Sequence, residues 1–107
     1  MNVQPIDQPT IDEIKNLLVK AYNPHEIYLL GPYRANTLTI SIVIILDNAK
    51  LRERFNLMIK GQDALIDINV PKNILVYTPE EFEEYSQDAS TLSYLIKKYG
   101  QCIYAHA

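Results

Sequence analysis

The sequence predicts an α+β domain: a small mixed β-sheet of about four strands flanked by helices, in the order α-β-β-α-β-β-α-α. Three observations carry this expectation. Apolar residues recur at helical spacing near both ends of the chain and once in its middle. Short β-rich runs lie between those stretches, led by Leu38 to Leu46, which holds no charged residue. Turn and cap signals at Asn23-Pro24, Gly31-Pro32, Gly61 and Thr78-Pro79 punctuate the chain.

Residues 1–9 contain two prolines and few apolar groups and read as a loosely held lead-in; residues 10–107 form the single domain. Thr10-Ile-Asp-Glu13 has the form of a capping box, and Ile11, Ile14, Leu17, Leu18, Ala21 and Tyr22 then make one helical stripe. Asn23-Pro24 ends it, because a residue before proline avoids helical geometry. Glu26 to Leu30 is a short strand stopped by Gly31-Pro32. Leu38 to Leu46, apolar on both faces toward its end, is expected at the centre of the sheet.

Asp47 is a candidate cap for the next helix, with Leu51, Phe55 and Met58 along one side and Gly61 as its stop. Leu65 to Val70, carrying Asp67, reads as a third strand and Ile74 to Tyr77 as a fourth. Thr78-Pro-Glu-Glu81 is a second capping box with proline at the first helical position. Ser90 is a candidate cap for the last helix, whose Leu92, Leu95, Ile96 and Tyr99 share a face before Lys97, Lys98 and Gly100 close it. Cys102-Ile-Tyr104 is a terminal extended segment.

At 107 residues, 48% hydrophobic and 21% charged, the chain suits one domain with its own core. A net charge of -3 offers no basic face for nucleic acid, so none is expected as a partner. The longest apolar run, Ile42 to Leu46, is far below the ~20 residues of a membrane span. The opening MNVQPIDQPT has no charged n-region or apolar h-region, and the single cysteine fits a reducing, cytoplasmic setting. Cys102 is expected to be buried, and Lys50, Arg52, Arg54 and the glutamates of 80–84 to be solvated. His25 and His106 stand alone, without zinc-ligand spacing.

From Ile11 to Tyr104 the chain resembles the minimal nucleotidyltransferase domains of the DNA polymerase beta-like superfamily. Tyr22-Asn-Pro24, the strand Ile27 to Leu30 and Gly31 match the opening of that family, while Thr78-Pro-Glu-Glu-Phe82 and Gly100-Gln-Cys-Ile-Tyr104 match its closing pattern. The resemblance implies a nucleotidyltransferase-like fold and marks Gly31, Pro32, Tyr33, Arg34 and Ser41 as nucleotide-binding candidates. The departures fall on the chemistry. The Gly-Ser of the family is Gly31-Pro32 here, its following glycine is Asn36, and its Ser-Asp-Ile-Asp is Ser41-Ile42-Val43-Ile44.

Nucleotidyl transfer needs magnesium to bridge phosphate oxygens, and magnesium needs hard oxygen ligands. Ile42 and Ile44 sit two apart, on one face of a strand, and offer none. Only Asp67 matches a carboxylate position, either as a vestigial ligand or as the partner of a neighbouring amide or of Arg34, so no complete metal site and no cofactor is expected. Ile42 and Ile44 become candidates for a partner surface in the former cleft. The resemblance then implies a protein-binding role, antitoxin-like with a helical HEPN-like partner or as a homodimer. The alternative is an active or nucleotide-binding enzyme using Mg and ATP, with Asp67 and Asp47 in an altered site and an unknown acceptor.

Overall fold

The structure is a computed structural model that describes residues 6–33 and 38–106. Its elements run α1 (Gln8–Tyr22), β1 (Glu26–Leu30), β2 (Ile40–Ile45), a single 3-10 turn (Leu51–Glu53), α2 (Arg54–Ala64), β3 (Lys72–Tyr77), α3 (Pro79–Ser86), α4 (Leu92–Tyr99) and β4 (Gln101–Ala105). The sheet order is β3-β2-β1-β4. β1 runs antiparallel to β2 and to β4, and β2 runs parallel to β3. The α+β class and the mixed four-stranded sheet therefore stand as the sequence predicts.

Every residue of β2 is buried, which explains why the strand carries no charge. Its side chains alternate between two cores. Ile40, Ile42 and Ile44 join Ile14 and Leu18 of α1 and Leu65, just past α2, on one face. Val43 and Ile45 join Leu30, Phe82 of α3 and Ile96 of α4 on the other. The sheet is thus the middle of three layers, with one helix pair on each side. No helix among the described residues is long and apolar enough to cross a membrane.

Several local expectations are corrected. α1 starts at Gln8 rather than after Thr10, with Asp7 at the N-cap and no side-chain cap; Pro9 pre-sets the first turn instead. Asn23, in left-handed geometry at φ 49°, ends the helix where proline was expected to. Asp47 caps nothing: Lys50 precedes the 3-10 turn that leads into α2. Gly61 lies inside α2, not at its end, because its missing side chain lets the helix approach Tyr22 and Ile74.

The strand expected over 65–70 is a string of turns. Leu65 and Ile68 are buried while Ile66 and Asp67 are exposed, a spacing of three that follows from turn bonds such as Ile68 N–H to Leu65 O at 2.9 Å. The fourth strand is β4, which pairs with β1 and includes the terminal segment Cys102–Tyr104. Thr91 rather than Ser90 caps α4, its Oγ1 accepting from the Tyr94 N–H at 3.1 Å. The capping box of Thr78 and Glu81 forms as the sequence indicates. Cys102 is exposed, not buried, because β4 is an edge strand.

Candidate functional site

The sequence-derived site residues divide between the two faces of β2. Ile42 and Ile44 point into the core shared with α1 and have no solvent exposure. They cannot form a partner surface, and the reason is that α1 and α2 cover the face on which a cleft was expected. Asp67 is exposed in the turn segment after α2, on no strand, so the geometry that would make it a ligand is absent. Asp47 is exposed as well, its Oδ1 3.8 Å from His25 Nδ1. Among the described residues no three His, Cys, Asp or Glu side chains converge on a point where a metal could sit.

Ser41 faces the other way. Its side chain is buried under the α4 side of the sheet, and its Oγ has no hydrogen-bond partner among the described residues. It lines a cavity of about 510 Å³ with Tyr33, Thr39, Asn73 of β3 and Ser90, Thr91 and Leu92 at the start of α4. The fold therefore brings Tyr33 and Ser41 to one place. Gly31 and Pro32 are buried at the end of β1, with Pro32 lining a separate, mostly apolar hollow beside Ile40 and Leu38. Arg34 and Asn36 lie outside the described residues. Asn73 and Thr91 carried no motif and Ser90 only a helix-cap reading, and the parallel pairing of β2 with β3 and the return of α4 put them beside Ser41.

The second feature is an exposed apolar row. Leu51 and Phe55 are 77% and 71% exposed, Ile59 is 42% exposed, and Ile66 follows at 74%. A spacing of four residues keeps Leu51, Phe55 and Ile59 on one side of the 3-10 turn and α2. The sequence expectation set Leu51, Phe55 and Met58 along one side of the helix, but Met58 packs on the core while Leu51 and Phe55 face solvent. The inward line is instead Leu57, Met58, Gly61, Ala64 and Leu65, a competing stripe at the same helical spacing that was readable in the chain. Close packing at Gly61 selects between the two. A Cβ there would lie 2.6 Å from Tyr22 Oη and 3.0 Å from an Ile74 methyl, so α2 sits tight at Gly61 and turns Phe55 outward.

Beside the row lies a hollow lined by Phe55, Met58, Ile59, Ile74, Leu75 and Leu92, along the free edge of β3. Two side chains of α2 guard that edge. Arg54 Nη1 donates to Val76 O at 2.9 Å and to Glu81 Oε1 at 2.8 Å, and Gln62 Nε2 donates to Lys72 O at 3.1 Å. Arg54, expected to be solvated, is half-buried and holds the end of β3 to the start of α3. Burial pushes the Glu81 carboxyl up, but the Thr78 amide and Arg54 outweigh it and hold its pKa below the ordinary value. No protein-family model, curated protein or solved structure matches this chain.

Proposed function

We propose that this chain is a nucleotidyltransferase-fold protein that no longer transfers nucleotides and works by holding a protein partner. The observation that carries the reading is the solvent-facing row Leu51, Phe55 and Ile59, with Ile66 exposed just past the end of α2, large apolar side chains that a chain working alone gains nothing by exposing. The buried isoleucines at 42 and 44 support the loss of transfer, since hydrocarbon fills the two positions where the resemblance expects carboxylates. The surface that meets the partner is then α2, not β2. Its shape, a helix ridge beside a shallow hollow, suits a helical partner of the HEPN-like kind or a second copy.

Tagged protein and its Phe55→Asp variant, expressed in the native cell and compared by mass spectrometry, test this. One partner retained by the parent and lost by the variant is the expected result. Identical captures by both, or transfer of label from ATP to an acceptor by the purified protein with magnesium, would overturn the reading. A nucleotide-binding role is the second reading, favoured by the convergence of Tyr33 and Ser41 on one cavity. Thermal stability that rises with the logarithm of ATP concentration is its signature.

A further inference from the structure

We propose that the partner seated on α2 is a second copy of this chain, with the two α2 helices antiparallel about a two-fold axis level with Leu57 and Met58. This rests on the protein-binding reading above and deepens it. A strand is the first occupant to consider for a surface next to a free sheet edge, and the edge of β3 is poorly open to one. Pro71 O accepts from Ile40 of β2 and Tyr77 O from Leu46 just past it, which turns the backbone groups of Lys72, Ile74 and Val76 outward. Of those outward carbonyls, Lys72 O is taken by Gln62 and Val76 O by Arg54. Side chains that occupy the edge in this way block an added strand. The helix ridge remains.

The ridge carries a charge pattern that matches itself when reversed. Phe55 and Ile59 have their midpoint at Leu57. Arg52 and Asp63 have theirs between Leu57 and Met58, and Glu53 and Lys60 have theirs between Asn56 and Leu57. Each of these four charges therefore meets one of opposite sign, within a residue, when the segment is reversed, and the fifth charge, Arg54, is already held by Glu81. Helical rotation sets Arg52 and Asp63 on the same flank of the apolar row, and Glu53 and Lys60 together further round. All four are exposed, and none makes an ion pair among the described residues. In an antiparallel pair a flank meets the same flank of the other helix. Phe55 of one copy then packs beside Ile59 of the other while Arg52 meets Asp63, and the two-fold axis makes each contact twice. A partner of unrelated sequence has no reason to produce a pattern that is complementary to itself.

Sedimentation velocity over the micromolar range, on the full chain, tests this. The parent should dimerise. Phe55→Asp should weaken the dimer at least about a hundredfold, and Arg52→Glu about tenfold by removing both ion pairs and adding repulsion. Arg52→Glu with Asp63→Arg should restore association to within about threefold, because the two-fold axis swaps both partners at once. These last positions are exposed, so the rescue does not depend on how Phe55→Asp folds. A monomeric parent overturns the second copy, and the broader reading survives that result if Phe55→Asp still loses a different protein. A dimer indifferent to Phe55→Asp, or a double variant no better than Arg52→Glu alone, also overturns it.

Discussion

Arg54 and Glu81 are the fastening between the two helix layers: Nη1 lies 2.8 Å from Oε1, across the end of β3. The same arginine also donates from Nη2 to Ala49 O at 2.7 Å, so one side chain ties the entry to α2, the last turn of β3 and the capping box of α3. Both partners are largely shielded, with side chains 13% and 23% exposed.

Removing one member leaves the other charge with little water, which is the costly way to break such a pair. Arg54→Ala is expected to lower stability by about 2–4 kcal/mol, measured by urea unfolding, and Glu81→Ala by a similar amount because the cap is lost with it. The Glu81 carboxyl has a lowered pKa in the folded state, so its contribution is present above the ordinary value of 4.5 and is lost as pH falls below it. An acid-limb stability profile that Glu81→Gln leaves unchanged would contradict this assignment.

The α1–α2 contact is set by Tyr22, whose hydroxyl donates to Leu57 O, and by Gly61 beneath it. Gly61→Ala forces its new methyl against Tyr22 Oη and Ile74, and should cost about 1–3 kcal/mol despite the better helix propensity of alanine. Burial pushes the Tyr22 hydroxyl up from 10.0 to about 12. A raised pKa in the folded state means stability is full below pH 10 and is lost as pH climbs toward 12. Tyr22→Phe should flatten that alkaline loss; an unchanged slope would place the loss elsewhere, with Tyr28 and Tyr77, also raised first by burial, as the next groups to replace.

Ile42 and Ile44 are structural. Ile42→Ala or Ile44→Ala should each cost about 2–5 kcal/mol, and an aspartate at either position should unfold the chain, as circular dichroism would show. A folded Ile42→Asp, Ile44→Asp double variant would mean that this face of β2 is open after all.

Ser41 carries the opposite expectation. Its buried hydroxyl has no partner among the described residues, so Ser41→Ala should leave stability unchanged or raise it by up to about 1 kcal/mol. A loss of more than that in urea unfolding would show that the hydroxyl is bonded.

How far the chain could be read follows from where each physical signal resides. β2 was legible because a strand buried on both faces must be apolar throughout, and the capping box at Thr78 because a helix start is a local hydrogen-bonding problem. The 65–70 stretch misled because Leu65 and Ile68 satisfy a turn as readily as a strand, and no local rule chooses between them. Tyr33 and Ser41 were legible as candidates, but their meeting with Asn73 and Thr91 depends on strand pairing across the whole domain. The residues alone thus settled the class, the central strand, the start of α3, the ends of α1 and α4 and the absence of carboxylates at 42 and 44. Only the tertiary structure decided which face of α2 is buried, that Ile42 and Ile44 are covered, and that Arg54 meets Glu81, because each depends on how closely elements distant in the chain can approach.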